Sequence, residues 1–169
     1  ASFTASAANM TAGGSVDLTA VFADGTASVD NGVGAVTSGV AMSVSPSATT
    51  TYTLTVDNGA GGGAATTTAT VTITVVAAPS ITAFTATPAT VTVGSTSALA
   101  YTFAGGTGSI NQAVGAVTSG MTSNVAPNST TTYTLTVDNG VGDLAGVVTQ
   151  TVTVTVVSPP VISGFSYGT

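Results

Sequence analysis

The 169 residues include no cysteine, lysine, arginine, histidine, tryptophan or glutamate. Each absence excludes something. Without cations the chain cannot displace the counterions of a phosphate backbone, so nucleic acid is excluded as a partner. Attraction to anionic lipid head groups fails for the same reason. Zinc and copper sites want imidazole or thiolate, and neither is available. General acid–base and nucleophilic catalysis are left with Asp, Tyr, Ser and Thr alone, which argues against an enzyme and against any cofactor. No disulfide can staple a small domain, and without lysine no Lys–Asn isopeptide bond can do so either. The only charged side chains are six aspartates, Asp17, Asp24, Asp30, Asp57, Asp138 and Asp143. No apolar run approaches the eighteen or so residues of a membrane helix, so membrane insertion is not expected.

What is present is a repeat. Thr49 to Gly59 reads TTTYTLTVDNG, and the same eleven letters return as Thr130 to Gly140, 81 positions later. Within each copy the apolar residues occupy every second position, Tyr52, Leu54 and Val56, then Tyr133, Leu135 and Val137. That period predicts a strand with one face buried. The Asp-Asn-Gly that follows supplies residues able to take positive φ, as a tight turn requires. An offset of 81 aligns the rest without a gap: Phe3 with Phe84, Leu18 with Leu99, Phe22 with Phe103, and Gly34–Gly39 with Gly115–Gly120. Two copies of one unit are therefore expected, residues 1–78 and 79–159, joined by a stiff Pro-containing linker near Ala77 to Ser80.

Each copy predicts a series of short strands. In the first they are Phe3 to Ala5, Met10 to Ala12, Val16 to Phe22, Ser28 to Val29, Val33 to Val36, Val40 to Val44, the Tyr52 strand and Thr68 to Val76. Val16, Leu18, Ala20 and Phe22 are expected to face inward, as are Tyr101 and Phe103 in the second copy. No segment has helical periodicity. About seven short strands in some 80 residues predict an all-β antiparallel sandwich.

The runs G-V-G-A-V-T-S-G, V-x-P-x-x-T-T-T-Y-T-L-T-V-x-N-x-x-G and T-V-T-V-T-V resemble the immunoglobulin-like repeats of bacterial extracellular and cell-surface proteins. The resemblance covers most of each copy and implies tandem immunoglobulin-like sandwiches outside the cell, in a family that decorates adhesins, secreted enzymes and filaments alike. It places Tyr52 and Tyr133 at the tyrosine-corner position. Leu54 and Leu135 then stand where the usual second cysteine does, and Leu18 and Leu99 where its partner does. Phe22 and Phe103 take the place of the core tryptophan.

The ends suggest a function. Repeat two opens with Pro79-Ser80-Ile81-Thr82-Ala83-Phe84, and the chain finishes with Pro160-Val161-Ile162-Ser163-Gly164-Phe165, the same leading strand again with no domain behind it. Residues 160–169 thus read either as an orphan strand donated to another copy or as the start of a further repeat in a longer array. In the first reading Val161, Ile162 and Phe165 are donors and the region of Phe3 and Ala5 is the acceptor, giving a head-to-tail homopolymer, an extracellular structural filament or surface assembly. The alternative is an adhesive or carbohydrate-binding module, for which Tyr101, Tyr167 and Asn111-Gln112 are the candidates. Asn9-Met10-Thr11 and Asn128-Ser129-Thr130 match the N-glycosylation pattern, so glycans are a further possible partner, although two matches are near chance in a chain so rich in Ser and Thr. Asp57-Asn58-Gly59 and Asp138-Asn139-Gly140 are read as turns rather than calcium ligands, since one carboxylate per loop is thin for a cation that wants six or more oxygens.

Overall fold

A computed structural model describes residues 1–60, 65–164 and 167. The chain divides into two compact units, Ala1–Ala78 with Val141–Gly146, and Pro79–Gly140 with Val147–Thr169. Among the described residues there is no α-helix, and hence none long and apolar enough to cross a membrane.

Unit 1 contains β1 (Ser2–Ala5), β2 (Asn9–Thr11), β3 (Val16–Val21), β4 (Thr26–Val29), β5 (Gly34–Val36), β6 (Ala41–Val44), β7 (Thr50–Asp57) and β8 (Thr66–Val76). They form two sheets, ordered β1-β3-β6 and β2-β8-β7-β4-β5. Every pairing is antiparallel except β2 with β8, which run parallel through Asn9↔Thr74, Met10↔Val75 and Thr11↔Val76. The first strand is split, as its two segments in the sequence suggest: its front half pairs with β3 in one sheet, and its second half crosses to the last strand of the other. This is why eight segments appear in a sandwich of about seven strands.

Unit 2 repeats the pattern with β9 (Ser80–Thr87), β10 (Thr90–Thr92), β11 (Ser97–Ala104), β12 (Thr107–Ile110), β13 (Gly115–Val117), β14 (Thr122–Val125), β15 (Thr131–Asp138) and β16 (Val147–Val157). Its sheets are ordered β14-β11-β9 and β10-β16-β15-β12-β13.

Alternation places the cores. In unit 1 Val16, Leu18 and Ala20 on β3 meet Tyr52, Leu54 and Val56 on β7, with Met10 and Ile73 between them. In unit 2 Leu99, Tyr101 and Phe103 meet Tyr133, Leu135 and Val137, with Val154. Leu18, Leu54, Leu99 and Leu135 are fully buried. Leucine pairs thus fill the inter-sheet positions that the resemblance assigns to the missing cysteines, and apolar burial replaces the covalent link.

One core exchange between the units is legible in volume. Unit 1 has Ala20 with Met42, where unit 2 has Tyr101 with Ser123. The large side chain has moved from one strand to its neighbour, and the Tyr101 hydroxyl lies 2.8 Å from Ser123 Oγ, so its polar end is satisfied. A second difference concerns the phenylalanines. Gly108 on β12 lies beneath the Phe103 ring, and a Cβ there would sit 2.4 Å from Phe103 Cζ. Phe103 is 9% exposed as a result. In unit 1 the equivalent of Gly108 is Ala27, and Phe22 is only half-buried.

The tail differs from expectation. Ser158–Gly164 follow β16 without regular secondary structure, so no orphan strand is formed there. A strand needs a neighbour for its backbone groups, and among the described residues no strand pairs with this segment.

Candidate functional site

Asp30, Asp57, Asp138 and Asp143 each accept hydrogen bonds through their carboxylates. Asp30 Oδ1 accepts from the Thr53 N–H at 2.8 Å and from Asn31 Nδ2 at 3.1 Å. Asp57 Oδ1 accepts from the Gly59 N–H at 2.8 Å, and Asp138 Oδ1 from the Gly140 N–H at 2.7 Å. Gly59 and Gly140 both have positive φ, 74° and 78°. These are Asx turns, in which the aspartate is an acceptor for its own loop. Asp143, within unit 1, accepts from the Thr11 N–H (2.9 Å), the Thr11 hydroxyl (2.7 Å) and the Gly146 N–H (2.7 Å). Those donors, Thr11 foremost, hold its carboxyl below the ordinary value of 3.8. Among the described residues no three His, Cys, Asp or Glu side chains are grouped as metal ligands.

The interaction candidates lie at the first strand and the tail. β9 pairs with β11 from Thr87↔Ala98 to Phe84↔Tyr101 and Ala83↔Thr102, and then, past a bulge, through Ile81↔Phe103 and Ser80↔Ala104. β1 pairs with β3 only through Ser2↔Val21, Phe3↔Ala20, Thr4↔Thr19 and Ala5↔Leu18. Phe22 and Ala23, the equivalents of Phe103 and Ala104, lie beyond that ladder. Phe3 is buried in the core and Ala5 is half-buried, so what the acceptor region presents is the outer backbone edge of β1 rather than these side chains. Val161 and Ile162 are 83% and 89% exposed. Phe165, the third expected donor, lies outside the described residues.

The backbone of the two phenylalanines is closed on one side by a serine that sequence reasoning missed. Ser38 Oγ accepts from the Phe22 N–H at 3.0 Å and donates to the Phe22 carbonyl at 2.8 Å. Ser119 Oγ does the same at Phe103, at 2.8 and 2.6 Å. The signal was available, since both serines belong to the GAVTSG run that the two repeats share unchanged.

Each unit also has an open groove on the flank where the short strands diverge. In unit 1 it encloses about 680 Å3 between the Asn31–Val33 turn and the Met42–Ser47 segment, with Tyr52 at its base. In unit 2 it encloses about 690 Å3 among Gln112, Val114, Asn124, Asn128 and Tyr133. Tyr52 and Tyr133 are buried, and burial raises both hydroxyl pKa values above 10, with the Asp30 charge adding to the rise at Tyr52. Neither groove presents an exposed aromatic plate. Tyr101 is 4% exposed and belongs to the core, and Asn111 Oδ1 is engaged by the Thr134 N–H at 2.8 Å. Of the other sugar-binding candidates, Gln112 lines the second groove and Tyr167 is exposed. Asn9, on β2, and Asn128, before β15, are both exposed.

Solved structures that superpose on this chain decide the fold. It is immunoglobulin-like. The Drosophila OTK extracellular domains 3–5 superpose with a TM-score of 0.57 at 14% identity, over 90% of this chain and 59% of that one. Sidekick-1 immunoglobulin domains 1–4 superpose with a TM-score of 0.54 at 13% identity, over 92% of this chain and 49% of that one. The chain thus spans roughly half the length of these neighbours, and at such identities the likeness is one of fold. No family model and no curated protein sequence matches the chain.

Proposed function

We propose that this chain is a non-catalytic structural module of an extracellular or cell-surface assembly, of the kind its resemblance to bacterial surface repeats implies. Its two immunoglobulin-like units act as spacers, residues 1–78 and 79–159, and the tail from residue 160 joins copies head to tail by strand pairing. The observation that carries this is the pair Val161 and Ile162, apolar, exposed and unpaired at the positions that Ser80 and Ile81 occupy in unit 2. Exposed apolar side chains beside unpaired backbone are unfavourable in water and stable when covered. The near-absence of charge points the same way. Sheet edges are commonly guarded by lysine, and this chain has none to place there. The donors are Val161, Ile162 and Phe165, received near Phe3 and Ala5, and Asn9 and Asn128 are exposed positions where glycans would sit.

The test removes residues 160–169. Intact chain is expected to form larger species by sedimentation velocity and filaments with a fixed axial repeat by negative-stain microscopy, and the truncated chain to remain monomeric. Assembly that proceeds equally without the tail overturns the reading. A second reading, an adhesive or sugar-binding stalk module, draws on the fold of OTK and Sidekick-1 and on the two open grooves. It expects a monomer that binds glycans on an array.

A further inference from the structure

In an Asn-Gly pair the side-chain amide is open to attack by the next backbone nitrogen, because glycine brings no Cβ to obstruct the approach. The chain has three such pairs, Asn31-Gly32, Asn58-Gly59 and Asn139-Gly140, and an aspartate precedes each of them. Half of the six aspartates therefore stand beside these bonds. We infer that Asp57 and Asp138 hold shut a site of covalent modification, keeping Asn58 and Asn139 from cyclising to a succinimide and hydrolysing to aspartate or isoaspartate.

The reaction loses ammonia and then takes up water. The glycine nitrogen gives up its proton and attacks Cγ of the preceding asparagine, a five-membered ring closes, and the side-chain nitrogen departs with a proton as ammonia. Water then opens the ring. Opening at the Cγ carbonyl restores the main chain with an aspartate, and opening at the backbone carbonyl routes the chain through the side chain, one methylene longer. In unit 1 that lengthening would fall just past Asp57↔Thr66, the end of the β7–β8 ladder.

The first step needs the glycine N–H, and that is the group each aspartate holds. Asp57 Oδ1 accepts it from Gly59 at 2.8 Å, and Asp138 Oδ1 from Gly140 at 2.7 Å. A charge-assisted bond of this length stabilises the protonated nitrogen, and the negative charge beside it disfavours the amide anion that must form. The opposite role, in which the carboxylate removes the proton, loses on strength, because a carboxylate is a far weaker base than the anion it would have to create. Asn58 is held as well, its Oδ1 accepting from the Ala60 N–H at 3.0 Å.

The repeat supplies an independent comparison. At Asn31-Gly32 the side-chain nitrogen is tied down instead, Asn31 Nδ2 donating to Asp30 Oδ1 at 3.1 Å and to the Thr51 carbonyl at 2.9 Å. At the equivalent place in unit 2 the pair has become Gln112-Ala113, which cannot close the five-membered ring, and Asn111 replaces Asp30. Asn111 Oδ1 still accepts from the Thr134 N–H at 2.8 Å, as Asp30 Oδ1 does from Thr53, so that turn needs only a neutral oxygen. The charge is missing where Asn-Gly is missing and present at the three places where Asn-Gly occurs.

The test incubates the full chain at mildly alkaline pH and follows each asparagine separately by peptide mapping, which reads the replacement of NH2 by OH and separates isoaspartate from aspartate. Asp57→Ala is expected to raise the Asn58 rate about tenfold, equivalent to roughly 1.4 kcal/mol and within what a hydrogen bond to a charged group contributes. Asn139, with its own aspartate intact, and Asn31, in the same unit but pinned differently, are expected to keep the parental rate. Asp138→Ala should exchange the behaviour of Asn58 and Asn139. Asp57→Ser, whose hydroxyl makes the same turn more weakly, keeps the question answerable if the alanine variant folds poorly, and a smaller rise is expected there. An Asn58 rate that stays at the parental value, or falls because the carboxylate was the base, overturns the guarding role. So does an equal rise at Asn31, which would report a loosened unit 1 rather than a released N–H.

Discussion

Replacing Gly108 by alanine puts a methyl carbon 2.4 Å from Phe103 Cζ, 2.6 Å from Cε1 and 3.0 Å from Cε2. Carbon atoms in contact sit near 3.5–4.0 Å, so the ring has to leave. The way out is visible in unit 1, where alanine already occupies this position and Phe22 is half-buried. Two effects oppose each other. Alanine in a strand relieves about 0.5–1 kcal/mol of the entropic cost of glycine. Overpacking and the partial exposure of a phenylalanine cost about 1–3 kcal/mol. The second wins, and a net destabilisation of unit 2 by about 1–2 kcal/mol follows. For a unit of this size that lowers Tm by about 4–8 °C per kcal/mol. Calorimetry and chemical denaturation followed by circular dichroism read it out, with one of two transitions moving. The mechanism has its own check. On a Phe103→Leu background, where no ring lies over the site, Gly108→Ala is expected to cost less than about 0.5 kcal/mol, a coupling that independent sites do not show. An unchanged or raised midpoint for Gly108→Ala alone, or an equal cost on both backgrounds, refutes the reasoning.

Gly25→Ala and Gly106→Ala place a Cβ 2.4 Å from the Asp57 carbonyl oxygen and 2.5 Å from that of Asp138. These are backbone atoms of a paired strand and cannot rotate aside, so each substitution is expected to cost about 2–3 kcal/mol in its own unit, measured by denaturant midpoint. Tyr52 and Tyr133 have folded pKa values above 10, so the unfolded chain ionises first. Their contribution is complete below pH 10 and lost as pH rises through the folded values; Tyr52→Phe and Tyr133→Phe should flatten the fall in Tm across that range. Asp143 is the opposite case. Its folded pKa lies below 3.8, so its contribution is present above that value and lost as pH falls through the folded one, and Asp143→Asn should remove that part of the acid dependence.

Alternation and the repeat made most of the fold legible from the letters. The inward sides of β3 and β7, and the core placement of Tyr101, follow from period two because a pleated strand offers no other arrangement. The bulge at Thr82, the Ser38 and Ser119 clasps and the bed that Gly108 makes for Phe103 were not legible. Each depends on which residues the topology brings together across strands, and no local pattern states that. The tail stands apart. Val161 to Phe165 reads as a strand because Ile162 and Phe165 repeat Ile81 and Phe84 at the same offset, and Val161–Gly164 has no regular secondary structure. Of the candidate site, the repeat alone names Val161, Ile162 and Phe165 as candidates, whereas the two serine clasps became visible only once the topology set Ser38 beside Phe22 and Ser119 beside Phe103.

The parallel pairing of β2 with β8 has a mechanical consequence. A pull applied at the two ends of unit 1 drags these neighbours past one another lengthwise, so Asn9↔Thr74, Met10↔Val75 and Thr11↔Val76 are strained together rather than peeled apart one after another. An antiparallel pair gripped at one shared end would unzip bond by bond. Sliding requires all three rungs to give way in a single event, and β10 with β16 places the same clutch in unit 2.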